Sequence, residues 1–143
     1  MKMGMGLYLK NSVEAVELYK EAFGLELGYH VLNPDGSYFH SELCRDSQEM
    51  FDVIESPREG SSDDLVQVSI ILDSNEDVQR AYALLSREGV VETPIGPLPW
   101  SPCAATLKDK FGVWWYISSP QHYPPENYDP TASWETGMYK KPE

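Results

Sequence analysis

The sequence predicts an α+β fold made of two tandem βαβββ modules within one structural domain. Two observations carry this reading. The same order of elements occurs twice: a strand, a capped amphipathic helix, a glycine, then three strands. LKNSVEAVELYKEAFG in the first half has LDSNEDVQRAYALLSREG as its counterpart in the second. In addition, the strand segments alternate with period two, while the helical segments repeat every three and four residues. With 143 residues, 41% hydrophobic and 24% charged, the chain can bury a core without staples.

GLYLK (6–10) alternates and reads as the first strand. Asn11, with Glu14 three residues on, has the form of a capping box. Ala15, Val16, Leu18, Tyr19, Ala22 and Phe23 follow at helical spacing, and Gly24 suits the position just past a helix end. LELGYHVL (25–32) and YFHSELC (38–44) flank NPDGS, whose Asp-Gly step signals a hairpin. EMFDVIE (49–55) completes the first module, residues 1–56, and PREGSSDD (57–64) reads as a linker. In the second module, residues 65–119, VQVSIIL (66–72) is a strand and Ser74 with Asp77 a helix cap. Val78, Ala81, Tyr82 and Leu85 form a helical stripe ending at Gly89. VVETPI (90–95), a proline-rich loop to Pro102, CAATLKD (103–109) and VWWYISS (113–119) complete it. Residues 120–143 form a tail without periodicity. Its Tyr123, Tyr128, Trp134 and Tyr139 favour wrapping over its own body or a partner chain.

The formal net charge is −12, from 23 acidic against 11 basic residues, so phosphate backbones and anionic membranes are poor partners. MKMGMGLYLK has no long apolar run, and no stretch approaches the ~20 apolar residues of a membrane helix. Cys44 and Cys103 are read as reduced thiols of a cytoplasmic protein. A catalytic cysteine needs an electropositive setting; Arg45 beside Cys44 is one neighbour only, and both cysteines are read as structural.

The last strand places Val113, Trp115 and Ile117 on one face and Trp114, Tyr116 and Ser118 on the other. Trp115 belongs to the core. In VQVSIIL, Gln67, Ser69 and Ile71 share one face, and Val66, Val68, Ile70 and Leu72 form a core face.

YKEAFG (19–24), the NPDG turn followed by HSEL (40–43), and DKFGVWW (109–115) together resemble the vicinal oxygen chelate superfamily, which includes glyoxalases, bleomycin resistance proteins and dioxygenases. The resemblance covers about residues 4 to 119 and is nearest to the PhnB-like branch. It implies two modules whose curved mixed sheet surrounds a cleft, a homodimer, and a site inside the cleft. Many enzymes of the superfamily hold a divalent metal there, on ligands from the first and last strands of each module. Carried over residue by residue, those positions fall near Gly4, at Asp52 or Val53, on Gln67 and on Tyr116. Gly4 offers no donor, Gln67 is a weak ligand, and Tyr116 stands where metal-dependent members have glutamate. A neutral tyrosine, with pKa ~10, is a poor ligand for a hard divalent cation. Asp52 would be a competent ligand, but at most two of the four positions are, so the usual metal site is expected to be lost; no cofactor is predicted, with a divalent metal at a non-standard site as the alternative.

Other residues could line the cleft. If the hairpin loop has an even number of residues, Tyr29 and Val31 share a face with His40 and Glu42; a three-residue loop inverts this. His30, Leu32, Phe39, Ser41 and Leu43 then form a packing face. His40 and Glu42, with Asp52, would make an alternative metal or acid–base cluster, against the plainer reading of a hydrogen-bonded surface pair. His30 reads as a packing histidine and His122 as a solvated one. By the family register, Gln67 and Ser69 share the cleft side with Trp114 and Tyr116, and Trp100 serves as a lid or a dimer contact. The sequence thus favours a small-molecule-binding protein with a degenerate metal site, and a cationic or aromatic ligand that could stack on the tryptophans. The alternatives are a metal-dependent lyase, isomerase or dioxygenase around His40, Glu42 and Asp52, and a non-catalytic dimeric interaction protein.

Overall fold

The computed structural model describes residues 1–58 and 65–122. The first module runs β1 (Gly6–Leu9), α1 (Ser12–Phe23), β2 (Glu26–Leu32), β3 (Tyr38–Arg45) and β4 (Gln48–Glu55). The second runs β5 (Val68–Ile71), α2 (Asn75–Leu85), β6 (Val90–Leu98), β7 (Ser101–Lys108) and β8 (Trp114–Ser118). Each module forms an open four-stranded mixed sheet, ordered β1-β4-β3-β2 and β5-β8-β7-β6. In both, the first strand pairs parallel with the last, and the remaining pairs are antiparallel. The predicted α+β plan of two βαβββ modules is therefore observed. The tail aromatics Tyr123, Tyr128, Trp134 and Tyr139 lie outside the described residues.

Each helix buries one stripe. In α1 this is Ala15, Val16, Tyr19, Ala22 and Phe23; in α2 it is Val78, Ala81, Leu84 and Leu85. The helices pack on each other and on their own sheets. Tyr19 crosses the boundary between modules, with its ring edge-on to Phe51 of β4 at 5.7 Å and to Trp115 of β8 at 5.3 Å. Phe51 and Trp115 themselves stand 5.7 Å apart. The inner faces of both sheets thus share one core, and Trp115 is fully buried in it. Under this core, Asp109 accepts hydrogen bonds from Tyr19 Oη at 2.6 Å and Trp115 Nε1 at 2.8 Å, and from the backbone N–H groups of Phe111 and Val113. One buried carboxylate thereby ties α1 of the first module to the β7–β8 turn of the second. Burial pushes the Asp109 carboxyl above its ordinary range despite these donors, and pushes the Tyr19 hydroxyl up as well.

Four local expectations are corrected. Asn11 does not cap α1 with its side chain. It sits in the left-handed region (φ 62°), and Glu55 at the end of β4 accepts instead from Asn11 N–H, Ser12 N–H and Ser12 Oγ. A carboxylate from a neighbouring strand is held there by the positive end of the helix dipole. Glu14 points away and pairs with Lys110. The cap at Ser74 is as expected, with its hydroxyl accepting from Asp77 N–H at 3.1 Å.

The hairpin loop between β2 and β3 has three residues, Pro34 to Gly36, closed by Asn33 N–H to Ser37 O, with Gly36 at φ 88°. On that ground alone His40 would face away from Val31. However, Leu32 lies opposite Tyr38 while Val31 lies opposite His40, so a bulge at Phe39 restores the parity. The bulge puts Phe39 into solvent, and His30 and Leu32 on the edge strand β2 are exposed too. Only Ser41 and Leu43 of the expected packing face are buried. The proline-rich loop after residue 95 is instead strand: β6 continues to Leu98, and Pro99–Trp100 form a two-residue turn into β7. Pro94 and Pro97 are tolerated because β6 is the edge of its sheet, where a missing N–H can face outward. Finally, Val66 is exposed and Gln67 precedes β5, so neither belongs to the ladder.

Candidate ligand-binding faces

The outer faces, opposite the shared core, carry the predicted site residues in two groups. On the first sheet, Glu42 stands directly opposite Asp52, and Asp52 opposite Gly6 of β1. His40 Nε2 is 3.1 Å from Glu42 Oε2, and the Tyr29 ring lies 5.9 Å from the His40 ring. Tyr29 reaches His40 because it is two residues from Val31, which lies opposite His40; next to it, an added Cβ at Gly28 would stand 2.6 Å from Cys44 Sγ. Asp52 Oδ1 is buried without a hydrogen-bond partner. Burial raises the Asp52 carboxyl above its ordinary range; nearby Glu49 adds to the rise and His40 opposes it. Burial, then Glu42 and Glu49, likewise raise the Cys44 thiol. This face is an acidic surface, with Asp52 outward and Val53 fully buried on the core side.

On the second sheet, Tyr116 lies between Ser69 of β5 and Thr106 of β7, and Trp114 stands opposite Lys108. Trp100 folds back from its turn and donates its indole N–H to Tyr116 Oη at 2.9 Å. Gln121 Nε2 donates to the same oxygen at 2.5 Å. Trp114 Nε1 and Thr106 Oγ1 are buried with no hydrogen-bond partner. Ser118, next on this face, is buried and satisfied through Ser101 Oγ and Ser119 O. Ser69 is exposed, and Gln67 is half-buried beside the start of its strand.

The carried-over metal positions do not form a centre here. Asp52 belongs to the first outer face and Tyr116 to the second, and Tyr116 Oη is already engaged by two donors. Among the described residues, no three His, Cys, Asp or Glu side chains are placed to share one ion. His40, Glu42 and Asp52 share a face, but a hydrogen-bonded pair beside a carboxylate is not a converging donor set.

A family model described as the glyoxalase/bleomycin resistance protein/dioxygenase superfamily matches residues 5–117. The chain belongs to this superfamily. Solved structures agree in fold. Protein PA1353 from Pseudomonas aeruginosa superposes with a TM-score of 0.70 at 22% identity, covering 84% of this chain and 98% of that one. A PhnB protein from Bacillus cereus gives 0.69 at 21%, covering 83% and 99%. The fosfomycin resistance protein FosX from Mesorhizobium loti gives 0.59 at 8%, covering 83% and 91%. No curated protein sequence matches the chain.

The sequence places Trp114 and Tyr116 on one face and offers Trp100 as a lid or a dimer contact, but does not single out Thr106 or Gln121. Thr106 could have been found from alternation in CAATLKD, which sets it on one face with Ala104 and Lys108. Gln121 follows the last strand, where no periodicity speaks for it. In the sequence Asp109 is only the end of the CAATLKD strand; its buried role depends on Tyr19, 90 residues away.

Proposed function

We propose that this member of the superfamily binds a small, partly aromatic molecule on the Trp100–Trp114–Tyr116 face and does so without the superfamily's usual metal. The observation that carries this is Tyr116: a neutral hydroxyl, engaged by Trp100 and Gln121, where metal-dependent members place a carboxylate. Aromatic walls with a few directed polar groups suit small-molecule recognition. The similarity to FosX, named for fosfomycin resistance, supports a small-molecule role. The acidic first face, with Tyr29, His40, Glu42 and Asp52, suits a ligand that also carries positive charge. Gln67 and Ser69 belong to the rim of the second face. We place the protein in the cytoplasm as a homodimer. No described helix is long and apolar enough to cross a membrane.

A thermal-shift screen of a broad small-molecule library tests this, because a ligand that binds only the native state must stabilise it. Stabilisation by aromatic compounds, lost on Trp114→Ala, is the expected result. A library without effect overturns the reading and favours a protein acting through its surfaces alone. The metal-enzyme reading has one observation in its favour, the juxtaposition of His40, Glu42 and Asp52. Elemental analysis after supplementation with Zn, Mn, Ni and Fe separates the two. Stoichiometric metal that is lost on His40→Ala would replace the metal-free reading.

A further inference from the structure

Three polar groups on the outer face of the second sheet are left with hydrogen-bonding capacity. Trp114 Nε1 and Thr106 Oγ1 are buried and have no partner. Tyr116 Oη already accepts from Trp100 and Gln121, so its own proton remains to be donated. The three belong to one patch. Thr106 and Tyr116 are directly opposed across the β7–β8 pair, and Trp114 is two residues before Tyr116 on the same face, diagonal to Thr106. Diagonal neighbours of this kind are ~7–8 Å apart, within reach for an aromatic side chain. On this face Ala104 adjoins Thr106, and opposite Ala104 an added Cβ at Gly96 would meet nothing within 4 Å.

A buried donor without a partner costs stability, and native structures retain few of them. An indole N–H can only donate, the Tyr116 hydroxyl has only its proton left, and a threonine hydroxyl can donate as well. The set therefore calls for an acceptor. We propose that Trp114 Nε1, Thr106 Oγ1 and Tyr116 Oη form a subsite for a carbonyl or carboxylate oxygen carried on a planar, unsaturated ligand body, which lies against the Trp114 ring. This deepens the small-molecule reading and rests on it. It assigns Thr106 a binding role and makes the second face a donor site, the reverse of the acidic first face.

The test uses the full chain with 15N-labelled tryptophan indoles, titrated with benzamide, sodium benzoate and toluene. Trp114→Phe keeps a ring and removes the donor; Thr106→Val keeps the shape and removes the hydroxyl. The proposal expects the Trp114 indole N–H proton to move saturably downfield with benzamide and benzoate, as hydrogen bonding to an oxygen requires, and not to move downfield with toluene. Each variant should weaken benzamide binding by roughly 2- to 10-fold, the worth of one hydrogen bond, over and above any change it makes to toluene binding. The subsite is overturned, with the pocket intact, if all three probes bind and the variants bind benzamide as well as the parent does. It is likewise overturned if the indole proton proves to be bonded to an ordered water that benzamide does not displace. No binding of any probe, together with a silent library screen, overturns the small-molecule reading itself.

Discussion

The two modules share a plan on their inner faces and differ on their outer ones. Inside, each presents one helical stripe and alternate strand residues to a common core: Tyr19 and Phe51 from the first, Trp115 and Leu85 from the second. Outside, the first sheet shows carboxylates and a histidine, and the second shows two tryptophans, a tyrosine and a threonine. Packing constrains the inner residues by volume, since a close-packed core registers even a methylene. The outer residues stand outside that common core and can diverge toward binding, although some, such as Ala104 and Ser118, are themselves buried. Function is therefore to be sought on the outer faces, and tests that separate core from face should separate stability from binding.

The largest effect is expected at the tie between modules. Asp109→Ala leaves Tyr19 Oη and Trp115 Nε1 buried without an acceptor and removes the cap on the Phe111 and Val113 N–H groups. Urea denaturation should show a loss of about 3–5 kcal/mol, typical of breaking a buried charged network. Asp109→Asn should cost less. Its amide oxygen can keep the backbone bonds and its NH2 can donate to Tyr19 Oη, leaving Trp115 Nε1 alone unpaired. A near-neutral Asp109→Ala would mean that the modules do not depend on this tie.

Next come two glycines, one from each module. At Gly89 an added Cβ would stand 2.4 Å from the Lys108 carbonyl oxygen, and backbone cannot easily move aside. At Gly28 the obstacle is the Cys44 thiol at 2.6 Å, a side chain. Both alanine substitutions overpack, at about 1–3 kcal/mol. Only Gly28→Ala should be rescued by Cys44→Ala, which removes the obstructing sulfur. Thermal denaturation of the single and double variants reads this directly, and equal rescue of Gly89→Ala by a neighbouring truncation would break the distinction.

The helix caps contrast local with distant chemistry. Ser74→Ala removes one side-chain bond to Asp77 N–H and should cost about 1 kcal/mol. Glu55→Ala removes the acceptor for Asn11 N–H, Ser12 N–H and Ser12 Oγ, and should cost about 1–2 kcal/mol. Ser12 Oγ also accepts from Tyr38 N–H. Ser12→Ala and Glu55→Ala should therefore be non-additive in a double-mutant cycle, whereas Ser74→Ala and Glu55→Ala should add.

These caps also show what was legible in the sequence. The Ser74 cap is a contact across three residues and can be read from spacing. The Glu55 cap joins residues more than 40 positions apart and cannot. Period-two and period-three/four patterns gave the element order, put Trp115 in the core and set Leu43 on a packing face. Alternation likewise set Trp114 and Tyr116 on one face. What escaped was set by parity and edges. The bulge at Phe39 reverses the count of a three-residue loop, and prolines at Pro94 and Pro97 look like a loop until β6 is known to be an edge strand. Alternation sets Thr106 on its face, but a threonine in a strand carries no functional signal by itself; its unmet hydrogen bond in a buried setting supplies one.

The smallest effect is expected on the acidic face. Burial and Glu49 raise the Asp52 carboxyl, so the folded protein holds that proton more tightly than the unfolded chain. The sign follows from linkage. Below the unfolded value of about 3.9 the group is protonated in both states and costs nothing; as pH rises through the higher folded value, ionising it in place destabilises the fold. Asp52→Asn should therefore be more stable than the parent near pH 7, and the advantage should vanish toward pH 3. Because the group is partly exposed, the gain should be small. Paired urea titrations at both pH values check it, and a constant difference across the range would show that Asp52 is not ionising against its surroundings. The same substitution should leave binding at the aromatic face unchanged if the two faces act independently. A coupled loss of benzamide affinity would instead join Asp52 to the aromatic face as parts of one site.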